Sequence, residues 1–268
     1  PPLLWPIMPS FEEPQSAPKD RKFVEALARG LELLRAFSDS HSVLGNQELS
    51  AITGLPKATV SRMTYTLKQL GYLANDPHSD KYRLDAGVLA LGYAYVANVQ
   101  VSRLIQPLME DLAKQHQVSV GLTVRERLSM IYVENCRHHT VQSLRVEVGA
   151  SIPLATSAAG RAYLASLEAH ERAEFINYLG ERQLQNWQQQ VDAIDEAVSS
   201  YQHHGYCLSL GDWNRTVNAV AVPFQVQGGK TMVLSIGGPS YLVSAQQIEQ
   251  TFAPQLLHLV EEINKMRL

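Results

Sequence analysis

Residues 45–84 read GNQELSAITGLPKATVSRMTYTLKQLGYLANDPHSDKYRL, and the reading of the chain turns on them. Asn46 is a side chain able to cap a short helix, with apolar Leu49 and Ile52 three apart on one face. Gly54-Leu55-Pro56 breaks that helix: glycine tolerates the backbone of a turn, and a proline suits the first position of the next helix, where its missing N–H has no partner to lose. The spacing predicts a second helix from Pro56 to Leu70, with Val60, Met63, Leu67 and Leu70 as its buried stripe. Its other face carries Lys57, Thr59, Ser61, Arg62, Tyr65, Thr66 and Lys68, cations and hydroxyls of the kind that meet phosphates and base edges. Gly71 ends it. Tyr72–Ala74 and Lys81–Leu84 then read as two short strands around the turn 75–80. Helix, turn, helix and hairpin make the outline of a winged helix-turn-helix, a DNA-reading element. The plainer alternative is a helical hairpin with a solvated polar face.

The chain has 268 residues, enough for two domains with cores of their own, and its 45% hydrophobic and 18% charged content is that of a globular protein. No apolar run reaches the ~18 residues of a membrane span. Two cysteines, Cys136 and Cys207, make no disulfide framework and suit a reducing compartment. The net charge is −3. Residues 19–85 hold 10 Lys and Arg against 8 Asp and Glu, a net +2, so the basic excess around the motif is mild. Affinity for DNA would then need two copies on one site, or well-placed contacts, rather than a broad field.

Residues 1–18 hold six of the 13 prolines and are expected to form a disordered tail. They lack the basic start and apolar core of a secretory signal. Lys19 to Phe37 has helical spacing through Val24, Leu27, Leu31, Leu34 and Phe37, and should complete a three-helix core behind the motif. Asp85 to Asn98 is apolar all round, which predicts a helix buried between domains or subunits. Val101 to Gln117 follows as a helix with Leu104, Leu108 and Leu112 in register. From Val118 the pattern alternates. Strands are predicted at 118–124, 130–134, 143–147, 206–208, 218–224 and 232–237, and helices at 158–167, 171–178, 191–204 and from Ser244 to Met266. An all-helical start followed by mixed strands and helices predicts an α+β class.

Several segments, in this order and spacing, make residues 20–265 similar to one family. They are Ala28-Arg29-Gly30-Leu31-Glu32-Leu33-Leu34, Gly54-Leu55-Pro56-Lys57-Ala58-Thr59-Val60-Ser61-Arg62 and Leu70-Gly71-Tyr72-Leu73 in the first half. In the second half they are Pro153 to Ala162 (PLATSAAGRA), Gly205-Tyr206-Cys207, Asn218 to Pro223 (NAVAVP) and Leu234 to Pro239 (LSIGGP). Together these resemble the IclR family of bacterial transcriptional regulators. The resemblance implies an N-terminal winged helix-turn-helix, a GAF-like C-terminal effector domain, and dimers or tetramers on palindromic operators. It also implies that the protein senses small organic or aromatic acids, or their lactones and esters. Carried over by position, the family's ligand contacts fall on Ala158, Ala159, Ser209, Ala219, Ser235 and Gly237. The chain departs from the family pattern at Ala155, often a histidine, at Arg161, usually a lysine, and at Ser209 to Asn214 (SLGDWN), which replaces an acidic run.

The residues themselves add to this site. Thr156-Ser157-Ala158-Ala159-Gly160 opens a helix, where free N–H groups and hydroxyls can cradle a carboxylate, although an ordinary capped helix with a packing face has the same sequence. Ser157 belongs to that cradle. Trp213 is a candidate to stack on an aromatic ring, or a core anchor, and Asp212 to orient a hydroxyl or to cap its loop. Catalysis finds little footing. Ser157, Cys136 and Cys207 are nucleophiles by type, but none sits in a nucleophile-elbow pattern. The pairs His138-His139 and His203-His204 have adjacent members that project in different directions, and no metal spacing is present.

The expectation is thus a cytoplasmic, ligand-responsive regulator that binds double-stranded operator DNA, repressing or activating, with no catalytic residues, metal or cofactor. Its divisions are a tail (1–18), a DNA-binding domain (19–85), a linker helix (86–100) and an effector domain (101–268). DNA contacts fall to Thr59, Ser61, Arg62 and Tyr65 for bases, and to Lys57, Lys68, Lys81 and Arg83 for phosphates. A hydrolase of esters or lactones, and a ligand-binding module that does not bind DNA, are the alternatives.

Overall fold

The computed structural model describes residues 22–38, 41–138, 146–180 and 186–266. The tail, Lys19 and Arg21, the first part of the expected strand at 143–147, and His139 lie outside them. The chain divides into two compact units, one ending at Tyr95 and the other beginning at Val96.

In the first unit α1 (Glu25–Arg35), α2 (Asn46–Thr53) and α3 (Lys57–Gln69) precede a hairpin of β1 (Leu73–Asn75) and β2 (Tyr82–Leu84). Gly54 ends α2 with φ +69°, a left-handed conformation that an L side chain resists, and so turns the chain into α3. The cap of α2 is Gly45 rather than Asn46. Its N–H is held at 2.6 Å by Glu48 Oε2, so the acidic residue one turn on does the capping. Leu33, Ala36, Phe37, Leu44, Leu49, Val60 and Leu73 form the core, with Met63 and Leu67 packed at its edge. One expected stripe position stands apart from it: Leu70 caps α3 and is exposed. Thr64, outside the expected stripe, is buried instead, its hydroxyl donating to Ser61 O at 3.1 Å. Val24, the cap of α1, and Leu27 and Leu31 within it are also exposed, because only the C-terminal half of the helix lies on α2 and α3. The hairpin extends beyond two strands: Leu44 and Tyr82 exchange backbone hydrogen bonds of 2.9 and 2.8 Å.

The hairpin leads into α4 (Ala86–Ala97), which has no charged side chain and no buried residue within this chain. Leu89 is 75% and Tyr93 72% exposed.

The second unit is a six-stranded antiparallel sheet in the order β5-β4-β3-β8-β7-β6. The strands are β3 (Ser119–Glu126), β4 (Ser129–Arg137), β5 (Ser151–Pro153), β6 (Cys207–Leu210), β7 (Val217–Val226) and β8 (Lys230–Pro239). β5 is a strand the sequence did not point to; of the strand expected at 143–147, Val146 and Glu147 lie in no strand and the rest falls outside the described residues. Alternation along each strand sends large residues such as Val120, Leu122, Val220, Leu234 and Ile236 to one face. There they pack on α5 (Gln100–His116) and α10 (Ala253–Lys265). The buried stripe of α5 is Val101, Ile105, Met109 and Ala113. The expected Leu104 is exposed and Leu108 and Leu112 pack only at the margin, so the face is turned by about one residue from the leucine spacing. Ser244 caps the final helical run as expected. That run consists of α9 (Ala245–Gln247), a π-helical turn over Ile248–Phe252, and α10. The other sheet face is covered by α6 (Ala158–Ala165) and α8 (Trp187–His204), with α7 (Ala169–Gly180) contributing Leu179.

Candidate functional site

The first unit presents one polar helix face. Lys57, Ser61, Arg62 and Tyr65 of α3 are exposed, while Thr59 and Lys68 are half-buried. Arg83 is exposed on the hairpin. Lys81 is engaged: its ammonium lies 2.6 Å from Glu48 Oε1 and ties the hairpin to the start of α2. That hydrogen bond, with the one from the Gly45 N–H, holds the Glu48 carboxyl below its ordinary value.

In the second unit the inner sheet face carries small residues. Register aligns Ser119 with Gly237, Gly237 with Ala219, and Ala219 with Ser209, a row of small side chains across four strands. A second row sets Gly121 beside Ser235 and Ser235 beside Ala221. Large residues fill the opposite core, so space remains under α6. The resulting cavity is lined by Ser157, Ala158 and Ala159 from the start of α6, by Ser209, Trp213 and Ala219, by Ser235 and Gly237, and by Ser119, Gly121, Tyr132, Ile152 and Val217. The cavity is partly open to solvent; the space within it and at its mouth comes to about 430 Å³, and its interior is narrow.

The lining has no charged side chain. Its polar groups have a definite sense. Ser157 Oγ donates to Pro153 O (2.6 Å) and accepts from Gly160 N (3.0 Å) as the cap of α6. Ser209 Oγ donates to Thr156 O (2.8 Å), Ser119 Oγ to Asn135 Oδ1 (2.8 Å) and Ser235 Oγ to Gly121 O (3.3 Å). A hydroxyl has one proton, so these serines have only lone pairs left to offer. Donors come from the backbone: Ala158 and Ala159 supply the first two N–H groups of α6, which helix geometry leaves without a carbonyl partner inside the helix.

Asp212 is not in the lining. Its Oδ2 accepts from Arg161 Nη1 at 2.8 Å and from Leu210 N at 3.2 Å, so it anchors its own loop instead of orienting a ligand hydroxyl. Arg161 is 6% exposed, and its guanidinium also donates to Ala155 O and Leu208 O. A buried cation must be paired in this way. The three contacts fasten the loop carrying Trp213 to the start of α6. Tyr132, Ser119, Gly121, Ile152 and Val217 were not anticipated as lining residues. The alternation of small and large residues in Ser119-Val120-Gly121-Leu122 was the signal for the first part of that wall.

The groups suspected as nucleophiles lack activation. The Ser157 proton faces a carbonyl, which cannot accept it as a base. Burial pushes both the Cys136 and the Cys207 thiol up to about 12, opposite to the shift of a reactive cysteine. Among the described residues, no three His, Cys, Asp or Glu side chains converge on a metal position. No single described helix is long and apolar enough to cross a membrane.

Comparison with known proteins matches both units. The family described as "Bacterial transcriptional regulator IclR C-terminal" matches residues 93–265, and "IclR helix-turn-helix domain" matches residues 26–77. The chain is 35% identical over 243 residues to the HTH-type transcriptional regulator TsaQ1/TsaQ2 of Comamonas testosteroni, covering 90% of this chain and 87% of that one. Among solved structures, an IclR family transcriptional regulator from Brucella abortus superposes with TM-score 0.89 at 40% identity, over 95% of this chain and 96% of that chain. An IclR homolog from Microbacterium hydrocarbonoxydans complexed with 4-hydroxybenzoate shares the fold, with TM-score 0.69 at 21% identity over 90% and 98% of the two chains.

Proposed function

Since the chain belongs to the IclR family of bacterial transcriptional regulators, we propose that it is a cytoplasmic operator-binding regulator whose effector is a small aromatic acid held in the cavity under α6. One observation carries this reading: an uncharged cavity with free backbone donors on the α6 side and serine lone pairs on the sheet. A carboxylate suits the donors at the helix start, where the dipole also favours a negative charge. A phenolic hydroxyl, which donates, suits the serine oxygens. The 4-hydroxybenzoate of the Microbacterium homolog is a molecule of this kind. Trp213 supplies an aromatic wall. Asp212 acts through Arg161 and does not touch the effector.

On the DNA side, α3 enters the major groove. Thr59, Ser61, Arg62 and Tyr65 meet bases, Lys57, Lys68 and Arg83 meet phosphates, and Lys81 reaches phosphate only by sharing its ammonium with Glu48. Division into a DNA-binding domain (19–85), a linker helix (86–100) and an effector domain (101–268) fits this scheme. Two copies pair through the apolar α4, giving a dimer that can assemble further into a tetramer. The protein acts by binding, without catalysis or a cofactor.

The test is titration of a labelled duplex from the intergenic DNA upstream of its own coding sequence, with and without 4-hydroxybenzoate. The acid should shift the affinity. Ser157→Leu, which puts a larger side chain at the cavity mouth, should bind the duplex as before and lose the shift. A normal response in Ser157→Leu overturns the cavity as effector site, and no response of the unaltered protein to any benzoate overturns the ligand class.

A further inference from the structure

The inner sheet face is built of small residues, yet one large side chain sits among them. Tyr132 of β4 lines the cavity and is 6% exposed. Its ring lies across Gly121 on the neighbouring strand. A Cβ placed on Gly121 would come within 2.3 Å of the ring carbon Cε1 and 2.9 Å of Cδ1, so the absence of a side chain there makes room for the ring. Its hydroxyl neighbours Ser235 Oγ, whose own proton goes to the Gly121 carbonyl. The backbone that carries the ring is fixed: the Tyr132 N–H bonds Ala150 O at 3.0 Å, and its carbonyl accepts from Gly149 N at 2.8 Å. A register shift between Leu122 and Thr123 sets Tyr132 opposite Thr123.

The geometry points to Tyr132 as the residue that sets the size limit of the effector, admitting a one-ring acid and excluding one with a second fused ring. This deepens the reading of the cavity as the effector site and rests on it. The volume argument is direct. The cavity leaves little free room with Tyr132 in place, and the floor beneath the ring is glycine, so removing the ring opens space down to the sheet. The ring's volume, seated over Gly121, does the excluding. Interiors are close-packed, so a buried ring on a strand paired on both sides does not yield to a larger ligand without strain.

The experiment is calorimetric titration of the full chain with 4-hydroxybenzoate and with a hydroxynaphthoate, its two-ring counterpart. The unaltered protein should exclude the naphthoate. Tyr132→Ala should gain affinity for it by about tenfold or more relative to the unaltered protein, the scale of discrimination that pocket volume supplies. Tyr132→Phe keeps the ring and should keep the exclusion, which separates ring volume from a general loosening of the fold. If Tyr132→Ala does not fold by circular dichroism, Tyr132→Leu makes the same comparison. A naphthoate that binds the unaltered protein as well as the variant, or that binds Tyr132→Phe as well as Tyr132→Ala, overturns the proposal, as does a folded Tyr132→Ala or Tyr132→Leu that gains nothing. If the unaltered protein binds neither acid while Tyr132→Ala gains the naphthoate, the size limit stands and the proposed effector class falls.

Discussion

Arg62 and Lys81 are two cations of the same unit with different freedom. Lys81 shares an ion pair with Glu48, which spends part of its charge on holding the hairpin to α2. Arg62 is exposed on the polar face of α3. An arginine that reads a base edge through a good paired contact supplies discrimination that a phosphate contact does not. If Arg62 reads a base, as proposed, Arg62→Ala should weaken operator binding by about 1–3 kcal/mol at fixed salt, measured by fluorescence anisotropy. Unchanged affinity moves the reading face away from this side chain. At the same scale, Asp212 shows the limit of residue-type reasoning. An exposed carboxylate beside a tryptophan suggested either ligand contact or a loop cap, and Arg161, 51 positions away in sequence, decided for the second.

At the scale of the element, β3 shows how one strand serves two purposes. Val120, Leu122 and Val124 fill one core, while Ser119 and Gly121 keep the other face low. The alternation was legible in the sequence as a strand. Its division into large and small residues, which makes a cavity, lies in the same letters, but only the packing of α6 over the small face gives it meaning. Tyr132 was not legible as a wall, because its placement depends on the register shift opposite Thr123. Gly121→Ala tests this packing. The added methyl meets the buried ring, and overpacking of this sort costs typically about 1–3 kcal/mol. Urea denaturation should show that loss, and a Tyr132→Leu background should reduce it, as expected for two residues in contact. An equal loss in both backgrounds would mean that the ring does not occupy the space over Gly121.

For the whole molecule the telling element is α4. A 12-residue helix with no charged side chain and no buried residue presents apolar surface that a second copy would cover. The first unit carries only a mild positive excess, so the proposed DNA affinity calls for two copies on one site or for well-placed contacts rather than a broad field. Replacing Leu89 and Tyr93 together with glutamate should shift the protein to a monomer in sedimentation velocity and lower operator affinity steeply. The fold of each unit should be unaffected, because neither side chain is buried in the chain. A dimer that survives this change places the interface elsewhere.

What the sequence determined by itself is what depends on short range. Gly54 and Pro56 set the break between α2 and α3, and Gly205 ends α8 with φ +81°. Period-two alternation placed β3, β7 and β8 to within a few residues, and the order of the motifs identified the family. The tertiary structure decided what depends on partners distant in sequence. It chose which face of α5 is buried, because Ile105 and Met109 meet the sheet where the leucine spacing pointed one residue away. It assigned Asp212 to Arg161, and it laid Tyr132 over Gly121. Helix ends and strand periods follow from local backbone sterics and side-chain period. A cavity is the volume left when distant elements pack, so its walls are settled only by the three-dimensional arrangement.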